Sequence, residues 1–385
     1  MKLFFEFFFI FYFFSSSFIF SADGISKSIE VRILIEKGVS KVNIKTFGSV
    51  YVYEEKTKEK YILLENSNYE IIPQGDNFLL ITDEKVLSPI YIESNNPSSY
   101  LIINDKKYRG KFKFLNKNGY INVIEYVDLE RYLWGVLGPE MGVSWPIEAL
   151  KAQAVAARTY TLKSIDKNAE YDMTNTTSHQ VYTGFENISP QIISAVNETR
   201  GEVLSYKDDI FYAYYHANSG GHTTTPSGAW NSNVILPLKG VSDPYYKYSR
   251  NAKWYIYITN LDILRFINKN GYGATKVKDI KIYSKDRSGR AIKLLFKTDR
   301  GNIKLEAKDF RNFIGTYDLK STFITKIEKL ASGYKFYGKG WGHGVGLCQD
   351  GARFMADKGY NYKKILSFYY PGSKIIDFEK LGYGN

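Results

Sequence analysis

Residues 127–162 read VDLERYLWGVLGPEMGVSWPIEALKAQAVAARTYTL and carry the pattern of two helices joined by a short loop. In the first helix, apolar residues recur at helical spacing over positions 129–137. Asp128 stands just before them and is a suitable N-cap residue. We expect Gly138 and Pro139 to end this helix, because proline lacks the N–H that a helix interior needs.

The second helix of the stretch is predicted to begin near Pro146, a residue suited to a first helical turn, with Ser144 or Trp145 as its cap. One face of this helix carries unusually small side chains, and its members are Ile147, Leu150, Ala154 and Ala157. Small side chains let a helix pack closely against a neighbour, although alanine is also simply a good helix former.

Short runs of alternating apolar and polar residues fill the chain before this stretch, including SIEVRILIE, KVNIKTF, SVYVYEE and KYILLE. The pattern predicts a β-rich region over residues 23–120. We interpret it as a scaffold, with a binding module as the alternative.

Strands and loops rich in glycine, serine and threonine follow the two helices, and residues 239–334 form a β-rich segment that we interpret as an insertion. In that segment KDIKIYSKD and AIKLLFKTD flank a Ser288–Gly289 turn and predict a hairpin. The stretch 340–372 is a glycine-rich loop followed by two short helices. The predicted fold class is therefore α+β, with a β-rich N-terminal region and a mixed helical and β core over 121–385.

The N-terminal sequence MKLFFEFFFIFYFFSSSFIFSADG has the layout of a secretory signal peptide that ends at Ala22. We therefore predict that residues 1–22 direct export to the cell envelope. The apolar run is shorter than the roughly 20 residues of a membrane-spanning helix and is interrupted by Glu6. Retention of the segment as a membrane anchor is the alternative.

The charge and composition of the chain indicate which kinds of molecule it can bind. The chain has 52 Lys and Arg against 40 Asp and Glu, a formal charge of +12, so an anionic partner is expected. The basic residues are scattered without a nucleic-acid motif, and we predict no nucleic-acid partner. The 33 tyrosines and 25 phenylalanines suit sheet cores and sugar-stacking surfaces. A single cysteine, Cys348, excludes an intrachain disulfide.

All four histidines fall in the glycine-, serine- and threonine-rich segments, and they are His179, His216, His222 and His343. Loops carry binding and catalytic groups more often than cores do, although a structural role in a turn is an equally good interpretation for each. Their spacing does not favour a metal site, and the chain has no HExxH motif.

Two side chains are candidates for catalysis. Glu140 lies near Trp134 and Trp145, where partial desolvation would raise the carboxyl pKa toward the value that a general acid needs. An ordinary surface carboxylate is the alternative. Cys348 stands at a predicted helix start, five residues after His343, and would suit a cysteine hydrolase because a helix N-terminus lowers a thiol pKa. A small packing residue is the alternative there.

Several segments resemble the family of SpoIID sporulation proteins and LytB-type amidase enhancers. They are Tyr108-Arg109-Gly110, the two-helix stretch with its Pro-Glu-Met motif, SHQVYTGF, YYHANSGGHTTT and the glycine-rich stretch from residue 340. The similarity spans most of residues 105–375. The unbroken string from Pro-Glu-Met through WPIEALKAQAVAART makes it highly specific.

The resemblance implies a peptidoglycan lytic transglycosylase. Such proteins cleave the bond between N-acetylmuramic acid and N-acetylglucosamine, prefer glycan strands stripped of stem peptides, and leave 1,6-anhydro-muramic ends. It implies Glu140 as the catalytic acid and base, and Arg158 as an active-site residue that positions or stabilises charge. The second carboxylate of ordinary glycosidases is not needed, because the C6 hydroxyl of the same sugar closes on C1.

The same resemblance suggests which residues bind the glycan, namely Gln180, His216, Ser219, Gly220, His222, His343 and Gln349. We expect the histidines to line a groove, Ser219 and Gly220 to allow close approach, and the glutamines to hydrogen-bond sugar hydroxyls. Some relatives bind zinc through cysteines and histidines before this region. Here the corresponding YDMTNTTSHQVY has His179 and no cysteine, so we expect no zinc and no other cofactor.

Two other functions stay open. The amidase-enhancer branch of the family is described as stimulating a peptidoglycan amidase rather than cutting glycan, and the Pro-Glu-Met motif does not separate the two. A cell-wall amidase is therefore a further candidate partner. A hydrolase that uses Cys348 is the third interpretation.

Overall fold

The computed structural model describes residues 28–58, 60–94, 96, 98–186, 188–230 and 232–383. The predicted signal segment, residues 1–22, lies outside these ranges. Within them the chain is an α+β protein whose N-terminal region is rich in strands, which confirms the predicted fold class. None of the helices in the described ranges is both long and apolar enough to cross a membrane.

The N-terminal region is built from strands β1 Glu30–Val39, β2 Val42–Phe47, β3 Val50–Glu54, β4 Lys60–Leu63, β5 Asn68–Gln74, β6 Phe78–Ile81, β7 Glu84–Leu87, β8 Ile90–Ser94, β9 Tyr100–Ile103, β10 Lys106–Tyr108, β11 Lys111–Lys117 and β12 Tyr120–Asp128. One sheet has the order β1-β12-β11-β8-β3-β4, and β13 (Met173–Thr174) extends it beside β1. The other has the order β10-β9-β2-β5-β6-β7. Both contribute side chains to one apolar core, among them Val31, Ile44 and Phe112.

Strand β12 leads directly into helix α1, Leu129–Met141. The Asp128 carboxylate accepts a hydrogen bond from the Arg131 backbone N–H at 3.0 Å, which confirms the predicted N-cap. The sheet therefore fixes where the helix starts.

Helix α1 continues past the residues that were expected to end it. Pro139 lies inside the helix and cannot donate to the carbonyl of Gly135. That carbonyl instead accepts from the Thr183 backbone N–H at 3.4 Å. The predicted helix end at Gly138 and Pro139 is wrong because a distant segment satisfies the group that proline leaves free. Glu140 consequently lies in the last helical turn rather than in a loop.

Helix α2, Ile147–Ser164, is buried on nearly all sides rather than on one face. Leu150 and Ala154 pack into the N-terminal core, whereas Val155 and Ala156 pack into a second core formed with the C-terminal helices. No side chain caps the start of the helix, so the predicted cap at Ser144 or Trp145 is wrong. The small side chains suit a helix that has neighbours all round it.

Short elements follow the central helix: α3 Pro190–Glu198, β14 Glu202–Tyr206, β15 Asp209–Ile210, β16 Tyr215–His216 and α4 Pro226–Trp230. The 253–339 region comes next and contains β17 Lys253–Thr259, α5 Asn260–Lys269, β18 Val277–Lys285, β19 Ala291–Thr298, β20 Gly301–Glu306, α6 Ala307–Ile314, β21 Ile324–Lys329 and β22 Gly333–Lys339. Its core contains Phe266, Phe296, Phe310 and Phe336. Strands β18 and β19 pair antiparallel, which confirms the predicted hairpin.

The C-terminal elements return to the helices α1 and α2. They are β23 Leu347–Cys348, α7 Gln349–Asp357, α8 Tyr362–Tyr369 and β24 Lys374–Asp377. Strand β23 pairs in parallel with β16, and β24 pairs antiparallel with β14. The two predicted C-terminal helices are confirmed. The pairing of β23 with β16 holds the glycine-rich segment that precedes these helices beside β16.

Candidate functional site

The Glu140 carboxylate is the point at which three distant segments meet. Its Oε1 accepts from the Val181 backbone N–H at 2.9 Å, and its Oε2 accepts from Gln349 Nε2 at 3.2 Å. Glu140 is half-buried. A carboxyl group that two donors orient within a half-buried residue is suited to proton transfer.

Burial raises the pKa of Glu140, and the hydrogen bonds from Val181 and Gln349 reduce that rise because they favour the charged form. Tyr132 and Tyr215 lie near enough to feel its charge: burial first, and then Glu140, raises the pKa of each hydroxyl. Among the described residues, no second carboxylate contributes to the shift at Glu140. The surroundings of Glu140 therefore favour a mechanism in which one carboxyl group donates the proton.

Tyr132, Val181 and Tyr215 are neighbours of Glu140 that the sequence analysis missed. Tyr215 belongs to the YYHANSGG segment, in which His216 was a predicted glycan-binding residue and Tyr215 was not. Successive side chains of a strand point to opposite faces, so Tyr215 and His216 in β16 serve different surroundings. Strand alternation was the signal that could have separated them.

The two predicted glutamines have different surroundings. Gln349 begins α7, is buried, and donates to Glu140. Gln180 is fully buried: its Nε2 donates to Thr161 Oγ1 at 2.7 Å, and its Oε1 accepts from Tyr215 Oη at 3.0 Å. The expectation that Gln180 bonds sugar hydroxyls is therefore wrong, because both ends of its amide are used inside the protein. Gln349 orients the catalytic candidate instead.

Arg158 is a core residue. Its guanidinium forms a bidentate pair with Glu130, at 2.9 and 2.6 Å, and also donates to the carbonyls of Val196 and Glu202. The side chain is fully buried. In the described part of the chain no hydrogen bond or ion pair links it to Glu140. We correct the expected active-site role: Arg158 ties α1 and α2 to α3 and β14.

His216 and His343 lie together, with ring centroids 5.5 Å apart. Nδ1 of His216 donates to the Val345 carbonyl at 3.1 Å, and Nδ1 of His343 accepts from the Val345 backbone N–H at 3.0 Å. Burial lowers the pKa of both rings well below the ordinary histidine value. Both are therefore neutral near pH 7.

Four aromatic rings lie in a series that ends at His343. We call Tyr212, Tyr214, Trp230 and His343 the aromatic row. Ring centroids of successive members are 5.8, 4.7 and 4.9 Å apart. Tyr212 and Trp230 are exposed. Exposed rings of this kind offer apolar faces on which a sugar ring can pack. The sequence analysis did not identify this row.

The segment around Ser219 packs against the 253–339 region. Ser219 Oγ donates to Asp243 Oδ2 at 2.6 Å, and its carbonyl accepts from Arg290 Nη2 at 2.6 Å. Gly220 has φ +71°, and a Cβ there would lie 3.0 Å from Lys339 and Phe323. Both residues are fully buried. The expectation that they admit the glycan is therefore wrong, since their close approach is to the protein itself.

His222 is only half-buried and lies beside the same contact. Its Nδ1 donates to the Thr223 carbonyl at 2.6 Å, and its own carbonyl accepts from Arg290 Nη1 at 2.7 Å. No hydrogen bond joins it to Glu140 within the described ranges. Its predicted contact with a glycan stays a prediction.

Cys348 is a buried cap of helix α7. Its sulfur accepts from the backbone N–H groups of Ser219 at 3.2 Å and Gly351 at 3.4 Å. Burial raises the pKa of the thiol well above its ordinary value, against the smaller effect of these hydrogen bonds. A thiol in this state is a poor nucleophile. The structure therefore favours the packing interpretation over the cysteine hydrolase.

His179 lies apart from the other histidines, and burial lowers its pKa. Its Nδ1 is 3.0 Å from Thr174 Oγ1. Across the part of the chain that the structure describes, no three His, Cys, Asp or Glu side chains are arranged to hold a metal ion. The expectation that zinc and other cofactors are absent stays a prediction.

Two family models match the chain. Residues 117–206, which include α1, α2 and β14, match the model described as Stage II sporulation protein, SpoIID. Residues 248–346 match a model described as a domain of unknown function, DUF8618. The first match contains Glu140, and the second ends inside the glycine-rich approach to α7.

The chain is also similar to curated proteins. It is 37% identical to an uncharacterized protein of Brachyspira hyodysenteriae over 282 residues, which cover 72% of this chain and 75% of that protein. It is 28% identical to Stage II sporulation protein D of Bacillus subtilis over 271 residues, 66% of this chain and 76% of that protein.

A third relative is longer than this chain. The amidase enhancer of Bacillus subtilis is 30% identical over 292 residues, which are 64% of this chain and 40% of the enhancer. The family model and the named relatives indicate one family. The segments that carry the motifs of that family meet at Glu140. The chain belongs to the stage II sporulation protein (SpoIID) family.

Proposed function

We propose that this protein acts on the cell wall as a peptidoglycan lytic transglycosylase. It cleaves the bond between N-acetylmuramic acid and N-acetylglucosamine in strands that lack stem peptides. Family membership, with relatives named for sporulation and for amidase enhancement, supports a role at the cell wall. The proposal of lytic transglycosylase activity in particular rests on the surroundings of Glu140.

The observation that carries this proposal is the environment of Glu140. The residue is half-buried, burial raises the pKa of its carboxyl group, and Val181 and Gln349 orient that group. A raised pKa keeps a larger fraction of the group protonated near neutral pH, as a general acid requires. The same two donors would stabilise the carboxylate once the proton has left.

The reaction needs one such group. Protonated Glu140 donates to the glycosidic oxygen while the bond from that oxygen to C1 of N-acetylmuramic acid breaks. The Glu140 carboxylate then removes the proton from the C6 hydroxyl of the same sugar, and the C6 oxygen bonds to C1. The proton returns to Glu140 and no water is consumed.

Replacing the acid tests this proposal. Glu140→Gln preserves the size of the side chain and one acceptor oxygen but cannot transfer a proton, so we expect the rate of anhydro-product formation from peptide-free strands to fall by about 10²–10⁴-fold. Liquid chromatography with mass spectrometry would measure the product, and circular dichroism would check the fold. The control Glu65→Gln, at an exposed position on the N-terminal region, should keep full activity. Undiminished product from Glu140→Gln would exclude Glu140 as the acid.

The alternative function is stimulation of a peptidoglycan amidase, and the similarity to an amidase enhancer favours it as the second candidate. Under this alternative the purified protein forms no anhydro product, yet a cell-wall amidase releases stem peptides faster in its presence. Assaying both products in the same digest separates the two functions.

We also propose that the protein is exported to the cell envelope, where its substrate lies. The phenylalanine-rich segment at residues 1–22 and the charge of +12 support this location. Glycan strands are the proposed partner, and an uncleaved N-terminal segment would add a membrane anchor.

A further inference from the structure

A small cavity lies at the end of the aromatic row, where the core meets the 253–339 region. Its volume is about 100 Å³. Trp230 and His343 line it from the core, and Glu306, which precedes α6, lines it with Lys308 and Arg311 of that helix. Pockets that enclose a whole small ligand typically measure about 300–1,000 Å³. This cavity therefore suits one substituent of a larger ligand.

The cavity is electropositive. Lys308 and Arg311 are three residues apart on α6 and so share one helix face. Arg311 donates to the backbone carbonyls of Leu319 and Thr316, and within the described residues neither cation forms an ion pair with a carboxylate. Glu306 is an acidic member of the lining, but its carboxylate lies 3.6 Å from Lys293. The cations of the lining are thus available to an anion from outside.

A third cation, which is buried, adds to this field. Arg290 is buried behind His343, and its Nε has no hydrogen-bond partner among the described residues. After burial, the charges of Arg311 and Arg290 both lower the pKa of the His343 ring. A neutral histidine and the guanidinium groups of Arg311 and Arg290 outnumber the one carboxylate beside Arg290, Asp286, and make the inner wall favourable for negative charge.

The cavity and the proposed acid both lie beside strand β16. The His343 ring packs on His216 of this strand, with ring centroids 5.5 Å apart, and the Tyr215 hydroxyl is near enough to Glu140 for the charge to act on it. A glycan strand that reaches Glu140 and passes this strand would place another of its sugars on the aromatic row. A substituent of that sugar would then face the cavity.

We propose that this cavity is a subsite for the free carboxylate of an acidic sugar whose ring packs on the aromatic row. The inference rests on the proposed function and deepens it, because it names the feature of the substrate that is recognised. Unsubstituted N-acetylmuramic acid carries such a carboxylate on its lactyl group. A stem peptide converts that carboxylate to a neutral amide and adds bulk that a cavity of about 100 Å³ does not hold.

Binding measured without turnover tests this subsite. In the Glu140→Gln protein, isothermal titration calorimetry would compare two probes: a peptide-free oligosaccharide of alternating N-acetylglucosamine and N-acetylmuramic acid, and the same oligosaccharide with its carboxylates converted to methylamides. We expect the acidic probe to bind about tenfold or more tightly, since charge-assisted hydrogen bonds are stronger than neutral ones. Lys308→Gln should remove most of this preference, and Arg265→Gln, an exposed control on α5, should leave it unchanged.

Equal affinity for the two probes, or a preference that Lys308→Gln leaves intact, would overturn the subsite. If Lys308→Gln does not fold, a salt series on the Lys308-containing protein replaces it, because a preference created by charge must decline as salt rises. Failure of the proposed function is distinguishable, since it removes anhydro product from the active protein without equalising the two affinities.

Discussion

Glu125 and Glu140 are two carboxyl groups with raised pKa values whose surroundings suit different roles. Glu125 lies in β12, is fully buried, and neither of its oxygens has a hydrogen-bond partner among the described residues. Glu140 is half-buried and accepts two hydrogen bonds. A proton donor must reach its substrate, so Glu140 is the catalytic candidate and Glu125 belongs to the core.

Glu125 makes the stability of the protein depend on pH. Burial raises its folded-state pKa to about 8, above the value near 4.3 of an unfolded chain. The folded protein therefore keeps a proton that the unfolded chain loses, and stability falls as pH rises through this window. Glu125→Gln should be more stable than the parent protein by a few kcal/mol at about pH 9 and nearly equal at about pH 4. Urea unfolding across this range measures the difference.

The control for this measurement is the exposed Glu65→Gln, which should keep the pH dependence of the parent protein. The account of Glu125 is contradicted if Glu125→Gln loses stability between these pH values as steeply as the parent does.

At the scale of elements, the Arg158–Glu130 pair joins the two central helices. Arg158→Met leaves Glu130 buried without its cation, and breaking a buried pair in this way typically costs about 3–5 kcal/mol. Arg158→Met combined with Glu130→Leu should recover most of that loss, because it removes both charges. Chemical denaturation would measure the three proteins.

The double variant also tests whether Arg158 acts in catalysis. If it folds stably and still forms anhydro product, the role of Arg158 is structural. A stable double variant without activity would instead return Arg158 to the active site.

The sequence was sufficient for elements whose determinants are local. The spacing of apolar residues in 129–137 and the Asp128 cap predicted the start of α1, and the Ser288–Gly289 turn predicted the β18–β19 hairpin. The end of α1 was not predictable, because the carbonyl that Pro139 leaves free is satisfied by Thr183. Non-local hydrogen bonds of this kind leave no periodic pattern in a sequence.

The candidate site was predictable in part for the same reason. The Pro-Glu-Met motif indicated Glu140, and the C-terminal motif indicated Gln349, which contacts Glu140 across 209 positions of sequence. Residue type alone could not show that Gln180 points into the core or that Gly220 is approached by Lys339 rather than by substrate. Those features depend on how the 253–339 region packs.

For the whole molecule, the order of segments explains how the site forms. The chain leaves the core after α4, builds the 253–339 region, and returns through β23, which pairs with β16. That return brings the N-terminus of α7 to Glu140 and places the start of α6 beside His343. Catalytic and substituent-binding functions can therefore lie on opposite sides of β16.

The central claim is that Glu140 directs intramolecular closure of the sugar rather than attack by water. Digesting peptide-free glycan strands with the complete protein in water labelled with a heavy oxygen isotope tests it most directly, with mass spectrometry of the muramic ends as the readout. The account predicts ends that are lighter by one water molecule than a free reducing end and carry no solvent oxygen. Reducing ends that contain the heavy isotope would show hydrolysis and contradict it.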